Sequence, residues 1–128
     1  IEAMERLVLP ALEEFQPDSI IIACGYDAAA LDPLGRMLAT AETFRQMTEL
    51  AMDAADELCN GRLTMVHEGG YSELYVTFCG HAVLQQLSAS TIAAPDPFTD
   101  TFAARQPNPA IRRYFSSVID DLEAQFFG

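Results

Sequence analysis

The chain has 128 residues, half of them hydrophobic, and carries seven Arg and no Lys against nineteen Asp plus Glu, a formal charge of -12. That length and composition fit one folded globular domain, and so negative a balance repels phosphate backbones and anionic headgroups, which argues against nucleic acid and membrane surfaces as partners. No apolar run approaches the roughly 20 residues that a membrane-crossing helix needs, and three widely spaced cysteines, Cys24, Cys59 and Cys79, read as reduced, buried thiols of a cytoplasmic protein.

From Ile1 to Phe15, the apolar positions Met4, Leu7, Val8, Ala11, Leu12 and Phe15 recur at helical spacing, with Glu2, Glu5, Arg6, Glu13 and Glu14 opposite. The charges scattered through this stretch do not make a signal peptide. Pro10 inside the pattern predicts a kink or a restart at a new first turn, and Pro17 ends the helix before the next element. The run Ser19 to Cys24 is short, apolar and rich in β-branched residues, as expected of a strand buried on both faces of a parallel sheet.

Gly25 ends that strand, and the stretch from Gly25 to Ala39 has no sustained period, which predicts a long loop. Thr40 is a candidate N-cap with Glu42 near the positive end of the following helix, whose buried stripe is Phe44, Met47, Leu50, Ala51, Ala54 and Leu58. Asn60 and Gly61 stop it. Arg62 to Glu68 is a second strand, and strand, helix, strand is a βαβ unit with parallel pairing. Ser72 caps a helix expected over Glu73 to Ser88, the stretch from Ala89 to Pro109 is loop-like, and Pro109 opens a last helix with Ile111, Phe115, Val118, Ile119, Leu122 and Phe126 along one side. Two strands cannot satisfy their own edges or bury both faces, so further strands are expected from upstream residues or from partner chains.

Chemistry is expected beyond the carboxyl ends of the strands, where ligands of open α/β sheets bind. Gly25-Tyr26-Asp27 and Glu68-Gly69-Gly70-Tyr71 fall there, side by side. Asp27 either holds a metal or another cation or caps the turn that follows. Gly69 and Gly70 allow backbone to approach a substrate, with Tyr71 as a hydrogen-bond donor, or they make an ordinary Gly-Gly turn beside an interface tyrosine. Asp32, before Pro33, reads as the start of a turn rather than a catalytic group. His67 flanks the pocket or the core, and His81 is a surface or packing residue of its helix. Neither stands in a HExxH context, so the chain does not spell out a complete zinc site. Aspartyl-phosphate chemistry at Asp27 would call for further acids and a Lys around the strand ends, and the chain has no Lys. A non-catalytic acidic interaction or oligomerisation module is the alternative from another class.

In their order, LVLPALEEFQPDSIIIACGYDA, DPLGRMLATAETFRQMT and VHEGGYS, from Leu7 to Ser72, with the looser AVLQQLS after them, resemble the C-terminal part of the histone deacetylase superfamily. The resemblance is to the class II histone deacetylase-like amidohydrolases and the acetylpolyamine amidohydrolases. It implies an α/β fragment of a three-layer α/β/α arginase/deacetylase-like fold with a parallel sheet. The chain, 1–128, would be a single domain forming roughly the C-terminal third of a larger catalytic domain.

The same resemblance implies a zinc-dependent amide hydrolase that takes an acyl group, such as acetyl, from lysine side chains or polyamines. Asp27 falls on a Zn2+ ligand and Tyr71 on the residue that hydrogen-bonds the substrate carbonyl and the oxyanion. Leu34, Gly69 and Gly70 fall on the acyl channel. The family's tandem histidines and its Asp-x-His segment have no counterpart here. The chain alone is therefore expected to be inactive, to bind zinc weakly, and to self-associate through surfaces that upstream residues would cover. The acidic surface suits a cationic substrate, though acidity also keeps proteins soluble.

Overall fold

Two parallel strands, β1 (Ile20–Cys24) and β2 (Leu63–His67), pair in register from Ile20 with Leu63 to Cys24 with His67. They form the sheet of a computed structural model that describes residues 1–35 and 37–128. Before β1 a π-helical stretch, Met4–Val8, runs into α1 (Leu9–Phe15), with Pro10 in the first turn of α1. Proline has no N–H to give to an intrahelical bond, so the hydrogen-bond pattern changes where the sequence predicts a restart. Gln16 closes α1 in the left-handed conformation.

Between the strands lies α2 (Ala41–Cys59), capped as expected: the Thr40 and Thr43 hydroxyls each accept from the other's backbone N–H. Asn60 and Gly61, both with positive φ, end it. Its buried face is mostly small, with Ala41, Ala51, Ala54, Ala55 and Cys59 around the larger Phe44. Ile20, Ala54, Ala55 and Cys59 form one buried cluster with Leu9 and Leu12 of α1 packed against it.

The larger core lies under the strand ends. Cys24, Tyr26, Phe44, Tyr75, Cys79, Val83 and Phe102 pack together there, and full burial of Phe44 and Phe102 contributes about 2 kcal/mol each. Tyr75, with no exposed surface, donates its hydroxyl proton to Asp96 Oδ2 (2.6 Å) and accepts from the first N–H of α2, at Ala41 (3.3 Å). All three cysteines are buried free thiols, as expected.

Four details depart from the sequence expectation. The third long helix, α3 (Val76–Ser88), starts later than Glu73, because Ser72 is spent on a turn in which its carbonyl accepts from Tyr75 and Val76 N–H and its hydroxyl from Tyr75 N–H. A short helix, α4 (Thr99–Ala103), interrupts the loop expected before Pro109. Asp96 Oδ1 accepts from Phe98 N–H, and Phe102 is driven into the core against Tyr75 and Phe98. The last helix, α5 (Pro109–Phe127), buries none of its residues and leaves Phe115 and Phe126 exposed, so its apolar stripe is not a core face in this chain. The strands, finally, are covered on one face only. Ile20, Ile22 and Cys24 turn toward the helices, whereas Ile21, 70% exposed, and Val66, 42% exposed, lie on the open side. The described residues supply no second layer, which accords with the prediction that two strands cannot bury both faces.

Candidate functional site

The parallel ladder runs on past the strand ends and joins the two segments in which chemistry is expected. Glu68 N–H donates to the Cys24 carbonyl (3.2 Å), and Tyr26 N–H donates to the Gly69 carbonyl (2.7 Å). Gly25-Tyr26-Asp27 and Gly69-Gly70-Tyr71 are therefore neighbours at one edge of the sheet, the juxtaposition that the βαβ pattern predicts.

Tyr26 is the floor of this edge. It is buried, its ring meets Phe44 edge-on at 5.2 Å and His67 at 5.0 Å, and its Cβ lies 3.0 Å from where a Cβ of residue 70 would stand. Gly70 has φ +140°, so both its backbone and the crowding beneath it require glycine. Burial, and then its hydrogen bond with Cys24, pushes the Tyr26 phenol well above its ordinary pKa. It stays neutral in the physiological range. The sequence reading assigned Tyr26 no role; its burial depends on partners 18 and more residues away.

Asp27 stands half-buried above that floor. Its carboxylate is flanked by two glycines: a Cβ at Gly25 would lie 2.9 Å from Oδ1, and one at Gly69 would lie 2.6 Å from Oδ2. A Cβ at Gly35 would overlap the carbonyl oxygen of Asp27, so the loop through Leu34 passes directly against the backbone of Asp27. The far end of that loop is tied back by an isolated parallel bridge between Ala29 and Ala39.

Asp32 does more than begin a turn. Its carboxylate is buried, and Oδ1 accepts from Leu34 N–H (2.8 Å) and Gly35 N–H (2.9 Å), which forms the turn that Asp-Pro predicts. Oδ2 accepts from Tyr71 N–H (2.7 Å) on the other loop. Burial alone would raise the pKa of this carboxyl, but the N–H groups of Tyr71, Gly35, Leu34 and Ser72 together outweigh it and hold the group below its ordinary value. Asp-Pro was the visible signal, and it pointed to the turn without the second partner.

Leu34 and Tyr71 project from the two loops that Asp32 joins, and both are exposed, at 69% and 55%. His67 is exposed with its ring against Tyr26, a flanking position, and His81 is half-buried on α3. Cys79 is no nucleophile at neutral pH: burial, and then the charge of Asp96, pushes its thiol up to about 12.

Catalytic zinc sites take three protein ligands and keep one position open. Among the described residues no group of three or more His, Cys, Asp or Glu side chains converges in that way. Asp27 offers one oxygen ligand, and these residues alone do not make a zinc site. Among the described residues no helix is long and apolar enough to cross a membrane.

Residues 1–87 match the model of the histone deacetylase domain. The histone deacetylase-like amidohydrolase of Pseudomonas aeruginosa is 49% identical over 126 residues, which cover 98% of this chain and 33% of that protein. The polyamine deacetylase HDAC10 of Danio rerio is 35% identical over 97 residues, covering 76% of this chain and 13% of its own length. Among solved structures, that of the histone deacetylase Clr3 matches with a TM-score of 0.62 at 34% identity, covering 73% of this chain and 16% of that one. The chain thus spans about a third of the length of the Pseudomonas relative it matches.

Proposed function

The chain belongs to the histone deacetylase family, and from that membership we propose that the protein carrying it is a zinc-dependent amide hydrolase that removes an acetyl group from lysine side chains or polyamines. In this reading Asp27 is one ligand of the zinc ion and residues outside this chain supply the others. The 128 residues alone are inactive. A bound zinc ion would contribute Lewis-acid polarisation of the amide carbonyl.

The chain's own residues then have definite work. Tyr71 donates its phenolic proton in a hydrogen bond to the carbonyl oxygen as negative charge develops there, an interaction worth about 3 kcal/mol in comparable sites. Leu34, exposed on the opposing loop, lines the passage of the acyl-bearing chain, and Gly69 and Gly70 shape it by letting their backbone lie close against the Asp27 carboxylate and against Tyr26. The surrounding negative charge favours approach of a cationic substrate. The buried free thiols suit a reducing compartment such as the cytoplasm.

The observation that carries this reading is the joining of the Asp27 and Tyr71 segments at one sheet edge, through the bond from Tyr26 N–H to the Gly69 carbonyl. The test is to express the full coding sequence and assay release of acetate from an acetyl-lysine peptide and from an acetylated polyamine. Tyr71→Phe should reduce turnover by about a hundredfold, and Asp27→Ala should abolish zinc retention together with activity. Activity that survives both substitutions would instead support an acidic module carried beside some other catalyst.

A further inference from the structure

We infer that Asp32 is a positioning residue that sets Tyr71 against the Leu34 loop, and that this task, rather than the turn at Pro33, is what requires an aspartate there. The inference rests on the proposed deacylase reading for its catalytic consequence, and on geometry alone for the clasp itself.

Each carboxylate oxygen serves a different loop. Oδ1 takes the two N–H groups of its own turn, at Leu34 and Gly35, and Oδ2 takes the N–H of Tyr71, 39 residues further along the chain. Asparagine starts Asx turns as readily as aspartate. An asparagine, however, has only one acceptor oxygen, and its NH2 would face a backbone N–H with nothing to offer it. It can hold the turn or hold Tyr71, not both.

The ionised carboxylate, half-encircled by N–H groups and buried, therefore bonds the two loops as one body. Before Tyr71, the segment is held by the bond from Tyr26 N–H to the Gly69 carbonyl, by Gly69 against the Asp27 carboxylate and by Gly70 against Tyr26 and Val76; after it, Ser72 is tied into the turn that opens α3. Gly69 and Gly70 are the most permissive residues in that path, so they define the direction of Tyr71 poorly by themselves. With the Asp32 bond in place, the residues on both sides of Gly70 are tied down. The reach from the oxyanion donor to the channel-lining Leu34 is then spanned by the one side chain bonded to both loops.

The substitution that separates the two tasks is Asp32→Asn. In the product of the full coding sequence, amide hydrogen exchange should show protection at Tyr71 N–H falling at least about tenfold, with Leu34 and Gly35 holding their turn and Ile22 in β1 unchanged. In the product of the full coding sequence, the same variant should lower kcat about ten- to a hundredfold with KM changed less than about threefold, because a bond made to the oxyanion counts in the transition state and not in the ground state. Asp32→Glu, which keeps two acceptor oxygens, should recover part of kcat.

Unchanged protection at Tyr71 in Asp32→Asn would overturn the clasp. Lost protection with full kcat, in a protein that Tyr71→Phe inactivates, would overturn the positioning role and leave the deacylase reading standing. Full activity in Tyr71→Phe would remove that reading and this inference with it.

Discussion

The carboxylate of Asp27 lies against the α-carbon of Gly69, so close that a Cβ at residue 69 would stand 2.6 Å from Oδ2 and 2.9 Å from Cγ. The atoms in the way, Oδ2 and Cγ, belong to a side chain that can rotate, so Gly69→Ala can be accommodated but moves the carboxylate. Stability should fall by about 1 kcal/mol, the low end of what an added methyl group costs in a packed site, while activity of the full-length product falls about a hundredfold, since a displacement of about 1 Å at a reacting centre costs that much. Paired thermal melts and kinetics test this, and unimpaired turnover would mean that Asp27 has no ligating role.

Gly35 makes the opposite case. A Cβ there would overlap the Asp27 carbonyl oxygen, which is backbone and cannot rotate away. Gly35→Ala should therefore cost at least about 3 kcal/mol or prevent folding of the loop. Denaturant titration of the 128-residue chain would detect it; a loss below 1 kcal/mol, on the order of a surface change, would contradict this packing.

Asp32 gives a pH dependence whose sign follows from its surroundings. Although burial opposes it, the four N–H groups hold its folded-state pKa below the value of about 3.9 expected of an unfolded chain. The native state thus binds this proton less readily than the unfolded state. The contribution to stability is fully present above the unfolded pKa and is lost as pH falls through the lower, folded one. The Tm difference between wild type and Asp32→Asn should stay level from about pH 7 to 5 and shrink below about pH 4. A difference that widens on acidification would show the sign to be wrong.

Arg6 is the clamp that holds α5. One guanidinium reaches Glu2 (3.0 Å) on its own segment and, on α5, Asp120 (2.7 Å) and Glu123, while Glu2 also accepts from Ser116. Because α5 buries no residue, its attachment leans on these partly exposed charges and should weaken with salt. Arg6→Ala, or sodium chloride near 1 M, where screening acts over about 3 Å, should speed amide exchange in α5 while leaving α2 and both strands protected. Uniform exchange behaviour across all helices would count against a separately released α5.

Much of the framework was legible from residue order alone, because the signals are local. Thr40 before a helical stripe, Asn60-Gly61 after it, Pro10 inside a helix and β-branched runs beside glycines each act on their own few neighbours, so both strands and the long helices could be placed. The family motifs also lie in short contiguous runs, so Asp27, Leu34, Gly69, Gly70 and Tyr71 stand out from residue order alone. The later start of α3 and the extra α4 escaped because they turn on Ser72 and Asp96 side chains choosing backbone partners, and on Phe102 finding a core 27 residues from Tyr75.

What tertiary structure alone decided is which atoms the loops share. A carboxylate before a proline is a turn signal in any sequence, and nothing local says that its second oxygen will meet Tyr71 N–H across 39 residues. That pairing exists only once β1 and β2 have aligned in parallel and carried both loops to one edge. Residue order thus determined the chemistry available at that edge, through the types and spacing of its side chains. Distance and direction were decided by strand pairing, because hydrogen bonds and steric overlap act over a few ångströms and depend on what the fold brings within reach.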